Sequence, residues 1–177
     1  MTAVIERRST PGRGEGIFAL KPFKRGDILY TGVLENASVT NHSHASQVSK
    51  TRFGFHIGLS SIFNHSCSPN CGIMINESGA HNIVAMESIL AGDEATYDYA
   101  MRNYRIEHFP GSCSCGKTNC RNTITGWIGL PQQRKDDYAG FIAPYLLEID
   151  LKQGAARHSA MASSRVLSDF KAATDNL

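Results

Sequence analysis

The stretch FNHSCSPNC, residues 63–71, sets amides, an imidazole, two thiols, two hydroxyls and a proline in a row behind a phenylalanine. So polar a run, closed by Pro69, makes a poor strand or helix interior, because proline removes a backbone donor and fixes its own φ. It reads as a shaped loop whose side chains or backbone hold something. On its N-terminal side Phe53, Phe55, Ile57 and Leu59 alternate with Gly54, His56 and Gly58, the period of a strand buried on one face. On its C-terminal side residues 73–75 and 83–86 form a hairpin pair around Asn76-Glu77-Ser78-Gly79, and Ala91-Gly92-Asp93 is a turn into Thr96-Tyr97-Asp98-Tyr99. Further out, residues 17–20 and 28–30 are extended on either side of a Lys24-Arg25-Gly26-Asp27 turn, while 35–50, rich in Asn, Ser, Thr and His, is the longest loop. Residues 1–100 therefore carry many short strands and almost no amphipathic helix, a mainly β architecture. From Pro131 the pattern changes. Residues 132–147 suit a helix around Pro144, and 159–176 form a tail of low hydrophobicity, either a loose helix or disordered.

The chain has 177 residues, near the usual size of one domain, with 41% hydrophobic and 19% charged residues, as expected of a folded protein. No apolar stretch approaches the ~20 residues of a membrane helix, and Met1 to Ser9 lacks the apolar run of a secretory signal. An intracellular home is expected, cytoplasmic in a microbe and nuclear in a eukaryote. The net charge of +2 is unevenly spread: +3 over 1–30, −4 over 31–100, +5 over 101–135 and −2 over 136–177. An acidic middle favours a cationic substrate segment, or is simply a solvated surface. The basic patch at 101–135 lacks the aromatic-basic repeat of a nucleic-acid binder.

All five cysteines lie between 67 and 120, and Cys113, Cys115 and Cys120 fall within eight residues of one another. Such crowding in an intracellular chain argues for a metal rather than disulfides. Zinc takes four ligands in a tetrahedron, so a fourth must join these three. Cys67, Cys71, His65 and His108 are the candidates, and Lys117 and Arg121 could offset the charge of the thiolates. Gly12, Gly14 and Gly16 do not make a dinucleotide loop: the spacing is wrong, no convincing strand precedes and no helix follows. A Rossmann-type enzyme is disfavoured.

Three stretches together, NHSCSPN (64–70), GDEATYDY (92–99) and CSCGKTNCR (113–121), resemble in order and spacing the signatures of SET-domain lysine methyltransferases with a post-SET zinc segment. GEGIF (14–18) and YTG (30–32) fit the family's earlier motifs, so the resemblance covers about 9–125. It implies a SET-type β-clip fold of short sheets with a pseudoknot: a SET core at 1–100, a post-SET zinc segment at 101–125 and a helical C-terminal extension at 126–177. It implies S-adenosylmethionine as cofactor, contacted by Asn64 and His65, with the backbone of Gly14, Glu15 and Gly16 lying against its methionine part. It also implies a structural zinc ion held by Cys67, Cys113, Cys115 and Cys120, leaving Cys71 as a buried thiol. Tyr99 corresponds to the catalytic tyrosine and Tyr30 lines the lysine channel. Tyr97 stands where the hydroxyl limits methylation, which implies mono- or dimethylation.

The chemistry sets a demand. A free lysine, with a pKa of ~10.4, is neutral about once in a thousand near pH 7.4, which costs about 4 kcal/mol. An apolar, aromatic channel and a nearby positive sulfur reduce that cost. No general base is evident, so water takes the proton. Asp98, turned from Tyr97 and Tyr99 by strand alternation, has a structural or surface role, while His42 and His44 sit in a polar loop. Trp127, Tyr104 and Phe109 either cap the cofactor or tunnel, or, for Trp127, anchor the C-terminal helix. Ser61 and Ala95 depart from the family's usual Arg and Leu, the 32–53 insert is short and a pre-SET cysteine cluster is missing, which leaves the substrate open. The expected acceptor is a lysine in a basic protein or peptide. A small amine or peptide natural product, or a non-catalytic module gripping a basic peptide, are the alternatives.

Overall fold

The computed structural model describes residues 3–41, 45–108 and 112–154, the side chains of 36–39 excepted. The expectations for His42, His44, Phe109 and the 159–176 tail fall outside these residues. Among the described residues ten short strands follow in chain order: β1 (Ile5–Thr10), β2 (Gly14–Ala19), β3 (Ile28–Tyr30), β4 (Val33–Val39), β5 (Ser46–Gln47), β6 (Phe53–Ile57), β7 (Asn64–His65), β8 (Cys71–Ile75), β9 (His81–Ala85) and β10 (Glu94–Tyr97). Seven form one sheet in the order β1-β2-β10-β8-β9-β3, with β7 also on β10, and β4-β6-β5 form a second. Among the described residues no helix is long and apolar enough to cross a membrane.

The polar loop of 66–70 owes its composition to β10. That strand runs parallel to β7, with Tyr97 opposite His65, and parallel to β8, with Tyr97 opposite Cys71. The chain between β7 and β8 must therefore pass around β10, leaving ladder positions that backbone cannot fill. Asn70 fills them: its amide donates to the Glu94 carbonyl and its oxygen accepts from the Thr96 N–H, each at 2.9 Å.

The expected hairpin of β8 and β9 forms in register from Cys71–Ala85 to Ile75–His81. Other expectations change. Residues 33–39 are a strand paired with β6, with irregular backbone register between 34 and 39, so the 35–50 loop is shorter than its composition suggests. In β6 the buried positions are Gly54 and His56, whereas Ile57 is exposed. The apolar alternation located the strand but inverted its face, because His56 is drawn inward by His81 and Ser46.

The C-terminal segment is woven into the same core. A short helix α1 (Gln132–Asp137) is followed not by continuous helix but by a break at 138–143, and α2 spans 144–154. Pro144 opens α2, the position where its missing N–H is harmless, rather than sitting inside a longer helix. Trp127, Tyr138, Ala143 and Leu146 are buried with Ile17, Ile73, Tyr97 and Met101. The Trp127 indole donates to Asp150 of α2 at 2.7 Å, which makes it an anchor of that helix. Tyr104 also reaches Asp150, at 2.8 Å.

Candidate functional site

Four sulfurs from two distant segments meet. The Sγ atoms of Cys67, Cys113, Cys115 and Cys120 all lie within 4.8 Å of one another. Gly116, at φ 68°, makes the turn that folds the 113–120 segment back on itself. Backbone N–H groups of Arg121 and Asn122 donate to the sulfurs of Cys67 (3.4 Å) and Cys120 (3.3 Å). Burial pushes the Cys67 and Cys113 thiols up, whereas at Cys115 the opposing hydrogen bonds from the Cys67 and Lys117 backbone outweigh burial and leave it at about 7. Four thiols this close cannot all ionise unaided; a divalent cation removes that repulsion, and four cysteines fit zinc. Cys71 is fully buried apart from the cluster, and burial pushes its thiol up.

His65 does not join the cluster as a fifth ligand but supports it. Its Nδ1 accepts from the Tyr99 N–H at 3.3 Å, so the ring proton belongs on Nε2, which lies 3.4 Å from Cys67 Sγ and points a donor at the sulfur. Burial, opposed by Asp98 and aided by Arg121, lowers its pKa to about 4 and keeps the ring neutral.

Asn64 is held by side chains from both flanks. Its amide donates to Glu94 Oε1 (2.8 Å) and to the Glu15 carbonyl (2.9 Å), while the other Glu94 oxygen pairs with Arg13 at 2.6 Å. A Cβ at Gly16 would stand 2.5 Å from Glu94 Oε1 and 2.8 Å from Asn64 Nδ2, so any larger residue here would displace the Glu94–Asn64 pair. Gly14 and Glu15 are exposed on the same strand, with Glu15 paired to Arg7 at 2.5 Å. Around this point lies a cavity of about 160 Å³ bounded by Arg13, Asn64, His65, Tyr99, Cys113, Cys115 and Ile124. Arg13 and Cys115 also line an adjoining polar cavity of about 350 Å³ with Glu87, Asp93, Glu94 and Lys117. Together they reach the size of a nucleoside cofactor site.

Of the three predicted tyrosines, Tyr99 lines this cavity, Tyr97 packs against Tyr99, and Tyr30 packs against Phe63. The rings of Tyr97 and Tyr99 lie 5.1 Å apart, and Tyr99 meets His65 edge-on at 5.3 Å. Tyr30 tilts against Phe63 at 6.1 Å, and its hydroxyl accepts from the Leu59 N–H at 3.1 Å. The Tyr99 hydroxyl donates to the Phe63 carbonyl at 3.1 Å. Burial raises the pKa of both Tyr97 and Tyr99, so each keeps its phenolic proton at neutral pH and acts as a neutral hydroxyl rather than as a phenolate base.

Asp98 is wholly buried, which corrects the surface half of its expected role. It pairs with Arg121 at 2.7 Å, accepts from the Tyr138 hydroxyl at 3.0 Å and caps the turn after β10 through the Ala100 N–H. Arg121 thus joins the cysteine cluster to the strand that carries the tyrosines. Sequence reasoning missed Arg13, Arg102 and this use of Arg121. Only the basic character of 101–135 hinted at the last two, and nothing short of the β2–β10 pairing could reveal Arg13.

Comparison with known proteins bears on the domain and its fold. Residues 14–100 match the SET domain family model. Among curated relatives, a histone-lysine N-methyltransferase, H3 lysine-36 specific, of Aspergillus fumigatus is 36% identical over 74 residues, which is 40% of this chain and 7% of that protein. One of Saccharomyces cerevisiae, H3 lysine-4 specific, is 34% identical over 70 residues, 38% of this chain and 6% of its own length. The match thus spans less than a tenth of these relatives. In structure, the methyltransferase domain of human SETMAR aligns with a TM-score of 0.56 at 15% identity, covering 71% of this chain and 59% of that one. KRYPTONITE, solved with mCHH DNA, an H3(1-15) peptide and SAH, aligns with a TM-score of 0.53 at 22% identity, covering 67% and 29%. Residues 14–100 thus carry the sequence of a SET domain, and the strands are arranged as in the solved structures this chain resembles.

Proposed function

We propose that this chain is an S-adenosylmethionine-dependent protein-lysine N-methyltransferase that adds one or two methyl groups to a lysine in a basic protein segment. The observation that carries this reading is the convergence of Asn64, His65 and Tyr99 with the four-cysteine cluster on one cavity. Relatives named for lysines 36 and 4 of histone H3 support a lysine-bearing protein tail as acceptor, and thereby an intracellular, in a eukaryote nuclear, site of action. The chain divides for this purpose into a catalytic core (1–100), a zinc segment (101–125) and a C-terminal extension (126–177).

S-adenosylmethionine, when bound, supplies a methyl group made electrophilic by a positive sulfur. Asn64, His65 and the backbone of Gly14, Glu15 and Gly16 would hold it, with Glu94 fixing the Asn64 amide. The closed cysteine site is structural: zinc there would pin the 113–120 segment over the cavity. Tyr30, Phe63, Tyr97 and Tyr99 wall a pore in which desolvation favours the neutral amine. Tyr99 orients, since its proton is committed to the Phe63 carbonyl. Tyr97 occupies volume that a third methyl would need. Neither nearby carboxylate serves as base, because Glu94 is bound to Arg13 and Asn64 and Asp98 to Arg121. The proton leaves to water before transfer.

Incubation with methyl-labelled S-adenosylmethionine and a mixed protein lysate should label protein bands. Label confined to low-mass material would point to a small amine acceptor, and no label to a binding module. Tyr99→Phe should lower the rate about 100-fold while cofactor affinity stays within a few-fold; parallel loss of both contradicts its role.

A further inference from the structure

Beside the tyrosines that would wall the proposed lysine pore stands a fixed cation. The Arg102 guanidinium lies 5.5 Å from the ring centre of Tyr97 and 5.2 Å from that of Tyr99. Its Nη1 donates to the Ser46 hydroxyl at 2.6 Å, and its buried Nε has no hydrogen-bond partner. Among the described residues none of the ion pairs includes Arg102. Arg102 shares a small interior chamber with Tyr97, His56, Ser60 and His81, walled otherwise by Ile73 and Ile83.

We propose that Arg102 is a positioning and electrostatic residue of the methyl-transfer pore, whose uncompensated charge excludes the ammonium form of the acceptor lysine and admits the neutral amine. The inference rests on the function proposed above. A guanidinium keeps its charge at any pH the protein meets, so the bias is permanent. Its neighbours leave the bias standing. From β10 and the turn after it, Tyr97 and Tyr99 are neutral phenols and Asp98 is bound by Arg121. At the β2 edge, Arg13 and Glu94 neutralise each other. From β6 and β9, His56 and His81 stack at 4.6 Å as neutral rings: burial first, then Arg102, lowers His56 to about 4, and burial, His56 and Arg102 hold His81 well below the ordinary imidazole value. From β7, His65 is neutral, and from α2 Tyr145 offers only a phenol, 3.2 Å from His81 Nε2. A unit charge about 7 Å from an amine, at an effective dielectric of about 20, shifts its pKa by more than one unit. The sign is that of a like charge: the ammonium is disfavoured, so the pH at which neutral amine becomes available falls.

The test compares wild type, Arg102→Gln and Arg102→Lys, each zinc-loaded and shown folded by circular dichroism. In the first measurement kcat/KM for a histone-tail peptide is followed from pH 6 to 10. The rising limb should move up by about one pH unit in Arg102→Gln, with a rate about tenfold lower at pH 7 that recovers at high pH, and should stay in place in Arg102→Lys. A uniform loss at every pH, an unmoved limb, or a gain in rate at all pH values overturns the proposal. The second measurement needs no activity: the NMR titration of His56 should shift upward in Arg102→Gln alone, and an unchanged titration refutes the field. Wild type that transfers no methyl group refutes the proposed function, while the His56 titration still reports on Arg102.

Discussion

Two segments follow the strands, and they are held in opposite ways. Residues 113–122 have no regular structure and three half-exposed cysteines, and they are tied down by sulfur, by backbone donors to sulfur and by one buried ion pair. Residues 127–154 are tied down by apolar burial: Trp127, Ala143 and Leu146 are almost wholly enclosed. The difference teaches that this molecule has two kinds of closure. One depends on a cation and on thiolates; the other on area removed from water. Asp98 is where they meet, since it binds Arg121 of the first segment and Tyr138 of the second.

The largest effect should come from the apolar side. Trp127→Ala should cost about 3–5 kcal/mol of global stability, read from urea unfolding, because it leaves a cavity and removes one of the donors that hold Asp150. A loss under 1 kcal/mol would mean that α2 is not part of the core. Breaking the junction comes next. Asp98→Asn leaves the Arg121 guanidinium buried without its carboxylate and should cost about 3 kcal/mol; an unchanged unfolding midpoint would detach the two segments from each other.

Acid offers a finer comparison. The folded pKa of His56 is depressed to about 4 from an ordinary 6.5. The unfolded chain therefore binds the proton first, and stability present above pH 6.5 is lost as pH falls toward 4. By pH 5 that is a loss of about 2 kcal/mol, which His56→Gln should reduce, as paired unfolding curves at pH 7.5 and 5 can check. The smallest effect on global stability belongs to the zinc side. Cys115→Ser should release the metal, as elemental analysis would record, yet change unfolding of the core by no more than about 1 kcal/mol. A larger cost would make the cluster a cornerstone of the core rather than a latch upon it.

What could be read in the sequence divides along the same line. The cysteine cluster and the 63–71 loop were legible because their function constrains residue type: thiolates for a metal, Asn70 for a backbone ladder that cannot close itself. The β8–β9 hairpin was legible because turn residues and apolar runs agree. The region 33–57 was not. There β4 lies in a polar run, and β6 buries His56 while leaving Ile57 exposed. Polar composition hid the first and the internal hydrogen bonds of His56 reversed the second. Asp98 shows the limit of alternation: it faces away from the tyrosines as expected, yet what lies on that side is protein, supplied by Arg121 and Tyr138 from later in the chain.

The account turns on the cysteine cluster closing a cavity for the methyl donor beside Asn64 and His65. Titration calorimetry with S-adenosylmethionine, on the native chain loaded with zinc and again after the metal is stripped, measures this directly. The account predicts one zinc ion per chain, saturable binding in the loaded protein and affinity at least about tenfold weaker without the metal. No heat of binding in the loaded protein, or equal affinity in both states, would contradict it.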